Sequence, residues 1–541
     1  MAALKSESGF IVEENVRLSR SCLWNLLRGF YEKEGVAAWS EGTIPWRITN
    51  NAFIAAAYAR VVHAYLGDLA DRGPAAGYDP ARPVHVLELG AGTGRFGFLF
   101  IRTLLSLLGP LRKGAPKVRY VLTDVAEKNM KFWSHHPKLA PLVAAGVLDF
   151  AIFDAGVDGS ITLRLSGETL SAGTAGNPLV AIANYVFDSL PQDVFRTVGG
   201  ALLEDRVTLI SPREENDPGD VSIIERVDLR YLTVPADDAP YEEAAWNKVL
   251  GSSARRNADA LVLFPVGTLV CLRTLSRIGG GRMLLLASDV DSGFDGESPG
   301  PTGPVPKRYG GSFFLPVDFH GLGDYAASSG GFALHAPARP MNMQTAAFVY
   351  GGSKEAFGGT CGSFAREIAE FGPAAYHVLD EALRKSGEQP EFPTALAFLQ
   401  LSRFEPWMFF RLSGSFLAGC GEAHPTLRIA LAEALERTAG NDYPVGDGMD
   451  VPFEIGRIFW RMGMAEEALR FYNASLKIHG EHPVTHYNIG LCHHRRGNLD
   501  DADASFARCL SMDPEYAPAR EWKERVESDL KKEVAPPGGA C

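Results

Sequence analysis

The spacing of apolar residues changes several times along the chain. From Val16 to about Leu66 they recur at helical intervals, as in Ile54, Tyr58, Val61 and Tyr65, and Thr49, Asn50 and Asn51 supply capping oxygens just upstream. This predicts an N-terminal helical segment over residues 1–83. Beyond a loop rich in Gly, Pro and Asp, short apolar runs at 84–89, 118–123, 148–153, 179–183 and 283–287 alternate with helix-period stretches. The runs are mostly Val, Ile, Leu and Phe, as strands covered on both faces require. Such alternation predicts an α/β domain over 84–352: a doubly wound, mostly parallel sheet of seven strands in the Rossmann-like manner. Two stretches interrupt it. Residues 211–259, rich in acids and with a strand-like 221–232, read as an insert, and 291–311, crowded with Gly, Pro and Ser, as a mobile loop. From 363 to 440 the pattern is helical throughout, a linker or cap.

An internal repeat closes the chain. Overlaying Gly456 on Gly490 also superimposes Ile455 on Ile489, Gly463 on Gly497, Ala468 on Ala502 and Tyr472 on Phe506, always at an offset of 34. That period, with small residues where two helices touch and Pro514 at the close, resembles the tetratricopeptide repeat and implies an all-α repeat domain over 449–532. Gly480 stands where a proline is usual and His493 where a bulky apolar residue is usual.

A length of 541 residues exceeds what one core serves, so several units are expected. Sixty-five acids against 53 bases leave a net charge of -12 without a basic stripe, which argues against nucleic acid as a partner. The cysteines (22, 271, 361, 420, 492, 509 and 541) are scattered and form no CxxC pair, so neither a disulfide framework nor a cysteine zinc cluster is expected. The opening residues lack a signal-peptide layout, and the longest apolar stretch, 260–272, is too short to span a bilayer. A cytoplasmic protein with no membrane partner is the expectation. Five histidines between His479 and His494 invite a metal reading, but they straddle a turn and point to different helix faces; a solvated surface is expected and no metal.

The chemistry concentrates in VLELGAGTG, residues 86–94, where an acid near a strand end is followed by three glycines and an apolar helix. Residues without a Cβ let a backbone turn tightly and approach a nucleotide closely, with the next helix N-terminus facing it. Gly92, Gly94 and Gly97 also satisfy GxGxxG, so a dinucleotide site is an alternative. Three acids favour S-adenosylmethionine. Glu88 lies where a carboxylate reaches an ammonium group, Asp124 ends the second strand where it can accept both ribose hydroxyls, and Asp154 ends the third, near an adenine amine. A salt bridge, a helix cap and a turn are the respective plain alternatives. The fourth strand ends in ANYVFDSLP, residues 183–191, which puts Asn184 at the carboxyl edge of the sheet, its amide oxygen placed to orient an attacking amine. Asp188 reads as a substrate-facing acid or as a cap. Trp46, Thr49 and Asn50 read either as a roof over the cofactor or as capping and core residues.

These motifs, in order from about Gly35 to Gly352, resemble class I methyltransferases and within them the MidA-type family, which includes complex I assembly-factor methyltransferases. ELGAGTG is similar to that family's ELGPGxG, ANYVFDSLP to its NExxDALP, Glu204 with Val207 to its ExxV, 264–289 to its helix, strand and acid, and PVDFHGLGDYAASSGG to its VxFxxLxxxAxxxG; Gln344 matches a late glutamine. The resemblance implies a class I fold, S-adenosylmethionine as cofactor, Thr49 in the cofactor roof, and protein arginine as acceptor in the characterised branch. Here Tyr185 replaces the family's Glu beside the Asn. A carboxylate is the natural partner of guanidinium, so the tyrosine argues against arginine; with Asn184 it resembles the Asn–aromatic pair of amine methyltransferases, its ring able to stack on a planar or cationic substrate. The expectation is a methyltransferase acting on a nitrogen of a protein or peptide recruited by the repeats. A non-catalytic assembly factor built on the same fold, and a nicotinamide oxidoreductase, are the competing readings.

Overall fold

The computed structural model describes residues 5–6, 9–45, 47–109, 116–256, 261–292, 303–337 and 343–534. Trp46, Cys541 and the 293–302 part of the Gly/Pro loop lie outside them. The chain forms two compact units, residues 1–381 and 382–541.

The first unit is built on a seven-stranded sheet whose order in space is Phe332–His335, Met343–Tyr350, Met283–Val290, Leu179–Asn184, Val84–Leu89, Val118–Asp124 and Leu148–Ile152. Only Met343–Tyr350 is reversed, being antiparallel to both its neighbours; the other contacts are parallel. All five expected strands are present, each within a few residues of the range its apolar run marks. Val84–Leu89 is buried along its whole length, the reason it carries no polar–apolar alternation. From it the chain winds outward through Val118–Asp124 and Leu148–Ile152, then returns to the other side at Leu179–Asn184. That reversal opens a crevice at the carboxyl ends of the central strands.

Helix Ala52–Arg72 starts as its capping residues predict: the Asn51 side chain accepts hydrogen bonds from the N–H groups of Phe53 (3.0 Å) and Ile54 (3.1 Å). The segment before it is not wholly helical. Gly9–Arg17 is a strand, and it joins Ala201–Ser211, Asp193–Val198, Leu261–Phe264, Asp228–Pro235 and Lys5–Ser6 in a second, antiparallel sheet. Asn15 has φ +52° and the register shifts between Val207 and Leu209, so the bulge breaks the two-residue period that marks a strand in sequence. Arg17 forks onto Glu204, with Nε–Oε1 at 3.1 Å and a second N–H donating to Oε2 at 2.9 Å. Helix Leu23–Glu34 and the short helix Ala37–Ser40 follow and reach the crevice.

The expected insert contains helix Ile223–Arg226, strand Asp228–Pro235 and helix Ala244–Arg256. The described end of the Gly/Pro loop is a hairpin of Lys307–Tyr309 with Ser312–Phe314. The stretch 363–440 is divided between the units: Glu367 ion-pairs with Arg60 (3.2 Å) in the first, while Phe392–Leu401, Pro406–Gly419 and Pro425–Asn441 are helices of the second.

In the second unit, Val451–Arg461 pairs with Ala465–His479, Pro483–Arg495 with Leu499–Met512, and Ala517–Val534 packs on the last. The repeat is visible as one contact made twice. A Cβ on Gly456 would sit 2.8 Å from the Tyr472 ring, and one on Gly490 2.6 Å from the Phe506 ring, so glycine is what lets each helix pair close on its aromatic. Gly480 ends its helix at φ +85°.

Candidate functional site

A cavity of about 410 Å³ opens at the crevice and gathers the residues singled out above: Glu88, Gly90, Gly92, Asp124, Asp154, Asn184, Tyr185 and Asp188 all line it, as do Thr49 and Asn50. Gly94 caps the next helix behind this wall. Among the described residues no group of three metal-ligating side chains occurs, and no helix is long and apolar enough to cross a membrane.

The glycine turn follows directly from its backbone angles. Gly90, Gly92 and Gly94 have φ of +57°, +54° and +75°, which side chains with a Cβ rarely adopt. The Gly92 N–H donates to Asp124 Oδ2 (2.9 Å), the Ala126 N–H to Asp124 Oδ1 (3.0 Å), and Trp133 Nε1 donates to the Gly92 carbonyl (2.9 Å). Asp124 therefore ties the turn to its own strand end. With about four lone-pair sites on a carboxylate it keeps acceptor capacity toward the cavity. Burial pushes its carboxyl upward, against the backbone donors that pull it down.

Glu88 lies under the turn. Tyr120 donates its hydroxyl to Oε2 at 2.8 Å, and Thr123 donates to the Glu88 carbonyl at 2.8 Å. Burial pushes the Glu88 carboxyl up to about 8, the charge of Asp124 adding to the rise and the Tyr120 hydroxyl opposing it. A buried carboxyl that faces a cavity and, among the described residues, has no cationic partner is suited to a positively charged ligand group.

Asp154 forms the turn weighed for it and adds an ion pair. Its Oδ1 accepts from the Gly156 N–H (3.0 Å) in a turn, while Oδ2 pairs with Arg28 (2.8 Å) at the cavity wall. Asn184 is held from the N-terminal side: Tyr58 donates to its Oδ1 (3.1 Å) and its Nδ2 donates to the Thr49 carbonyl (3.4 Å). One lone pair of Oδ1 stays available to an incoming N–H. Tyr185 has φ +53° in the left-handed region, a conformation costing about 1–3 kcal/mol for a non-glycine residue. Burial keeps its phenol protonated.

Asp188 is anchored by a residue for which sequence reasoning proposed no role. The Asp289 Oδ2 accepts from three consecutive backbone N–H groups, Val186 (3.1 Å), Phe187 (2.9 Å) and Asp188 (3.3 Å), and so fixes the whole turn after Asn184. Burial raises both carboxyls, Asp188 to about 6 and Asp289 well above its ordinary range, with the neighbouring Asp188 adding to the rise at Asp289. Ser189 donates to Asp188 Oδ1 at 2.9 Å. Tyr31 and Trp39, stacked with ring centres 5.8 Å apart, also face the cavity, and Tyr309 and Phe314 of the hairpin stack at 5.7 Å. None of these aromatics carries a local sequence signal, because elements remote in the chain bring them together. Gln344, matched to a family position, instead donates to the Ala336 carbonyl (2.9 Å) on the far strand pair. Glu204 is occupied by Arg17.

A tetratricopeptide repeat model matches residues 484–516, the helix pair Pro483–Arg495 and Leu499–Met512 with the turn that follows. No curated protein matches the chain. Among solved structures the chain is similar to an uncharacterized COG1565 superfamily protein from Burkholderia thailandensis, at 14% identity over 63% of this chain and 90% of that one, with a TM-score of 0.37. Another COG1565 superfamily member from the same organism, bound to S-adenosyl-homocysteine, is similar at 14% identity, the same coverage and a TM-score of 0.38. Magnesium protoporphyrin IX methyltransferase from Synechocystis PCC 6803, with bound SAH, matches at 11% identity over 60% of this chain and 99% of that one, TM-score 0.26. TM-scores this low leave the chemistry of the crevice to be read from its own residues.

Proposed function

We propose that the chain is an S-adenosylmethionine-dependent methyltransferase acting on a nitrogen of a protein or peptide, with the repeat unit as the recruiting surface. One observation carries the reading: a glycine turn, a carboxyl without a cation (Glu88) and a strand-end carboxylate (Asp124) line a single cavity at the reversal point of the sheet. Their chemistry fits the group. Glu88 would meet the ammonium of the methionine part and Asp124 the ribose hydroxyls, with the turn giving the backbone close approach. A dinucleotide has no ammonium to satisfy Glu88, which argues against the nicotinamide reading. The cofactor supplies an electrophilic methyl on a sulfonium. Asn184 orients the attacking nitrogen, and Asp289 fixes the turn that bears Tyr185 and Asp188.

Titration calorimetry tests this. Wild-type protein should bind S-adenosylmethionine, and Gly92→Arg should not, because a Cβ there already meets the Trp39 ring at 3.2 Å. Absence of binding by the wild type rejects the reading. Binding without transfer to any acceptor in a lysate supplied with methyl-labelled cofactor favours the non-catalytic assembly role.

A further inference from the structure

Aromatic rings wall much of the cavity. Tyr31, Trp39, Tyr185, Tyr309 and Phe314 all line it. Across its floor runs a line of hydroxyls: Tyr31 shares a hydrogen bond with Ser312 (3.0 Å), lies within reach of Ser189, and Ser189 donates to Asp188. Resting on the proposed function, we infer that this aromatic chamber accepts a planar nitrogen heterocycle, an imidazole side chain of a peptide, with Asp188 placed to receive the ring proton and Tyr31 as a positioning residue.

The geometry separates this acceptor from the other nitrogen nucleophiles of proteins. A guanidinium is held by a carboxylate fork, and Asp188 is poorly placed to give one: its Oδ1 already accepts from Ser189, while Asp154 is occupied by Arg28, Asp289 by three backbone N–H groups, and Tyr185 stands where a further carboxylate would complete a fork. An alkylammonium fits an aromatic box but must lose a proton before it can attack. With an ordinary pKa of about 10.4 it lies some four units above the roughly 6 of Asp188. A neutral imidazole, with a pKa of about 6.5, already carries a free lone pair at one nitrogen and stacks flat against rings.

The step balances. The unprotonated ring nitrogen forms the N–C bond as the C–S bond breaks, and its electron pair stays on sulfur in departing S-adenosylhomocysteine. The ring, now cationic, passes the N–H proton of its other nitrogen to the Asp188 carboxylate and from there to water.

The test uses the full chain with methyl-labelled S-adenosylmethionine and three probes at equal concentration: 4-methylimidazole, butylamine and butylguanidine. The expected result is transfer to 4-methylimidazole at least tenfold faster than to either other probe. Tyr31→Phe, which keeps the ring and loses the hydroxyl, should raise the KM for 4-methylimidazole about tenfold while the calorimetric affinity for S-adenosylmethionine stays as in wild type. Preference for butylamine or butylguanidine, or cofactor binding with no transfer to 4-methylimidazole, overturns the inference and leaves the proposed function standing. No cofactor binding by wild type removes both.

Discussion

The carboxylate of Glu88 occupies the space that a side chain at position 97 would need: a Cβ on Gly97 would lie 2.5 Å from Glu88 Oε2 and 2.7 Å from Leu122 Cδ2. The third glycine of the GxGxxG pattern therefore has a packing role. It lets helix Arg95–Leu108 lie close enough to the sheet for a buried acid to fit beneath it. Gly97→Ala should displace Glu88, costing about 1–3 kcal/mol of stability by overpacking and at least tenfold in S-adenosylmethionine affinity. Thermal unfolding and calorimetry measure the two effects separately.

Glu88 also sets a pH dependence. Its carboxyl, pushed up to about 8 from an ordinary 4.5, keeps a proton in the folded chain that the unfolded chain releases. Stability of the ligand-free protein from this group is full below about 4.5, then falls as pH rises toward 8 with a slope approaching about 1.4 kcal/mol per unit. Glu88→Gln should flatten that segment of a denaturation series. Affinity for S-adenosylmethionine should run the opposite way in wild type, rising toward pH 8 as the carboxylate forms, and lose this dependence in the variant.

Asp289→Asn should act at a distance from any ligand. An Asn oxygen can still accept the three N–H bonds, but the amide carries no titratable proton and removes the second acid beside Asp188. The expected outcome is a loss of about 1–3 kcal/mol and a slower methyl transfer, with calorimetric cofactor affinity changed less than threefold. Equal loss of cofactor binding would show that the turn after Asn184 also shapes the cofactor half of the cavity.

Gly456→Ala and Gly490→Ala each push a methyl into an aromatic ring of their own helix pair. Each should lower the unfolding midpoint of the repeat unit, by about 1–3 kcal/mol in stability, and leave S-adenosylmethionine binding unaltered.

How far the sequence revealed this fold depends on where each signal lies. The strands of the parallel sheet were legible because both faces are buried and the runs are continuously apolar, and the 34-residue repeat because each glycine has its aromatic 16 positions on. That Glu88, the glycines and Asp124 share one cavity wall was legible because one strand–turn–helix unit carries most of it. The second sheet was not. Gly9–Arg17 is bulged at Asn15 and finds its partner strand about 190 residues later, at Arg206–Ser211, so neither its period nor its neighbours mark it. The aromatic chamber was hidden for a similar reason, since Tyr31, Tyr185 and Tyr309 lie far apart in the chain and come together only at the cavity. Asp289 was visible as a motif acid, yet its work on three backbone N–H groups depends on a turn about a hundred residues upstream.

The Arg17–Glu204 fork at the end of the bulged strand has a practical consequence. Helix Leu23–Glu34, which delivers Tyr31, hangs from that strand, so trimming or tagging the first seventeen residues would be felt at the acceptor wall while the glycine turn, whose strand is gripped on both sides by parallel neighbours, stays in place. On the proposed function, a shortened protein of this kind would bind S-adenosylmethionine and transfer no methyl, an outcome easily mistaken for a missing substrate.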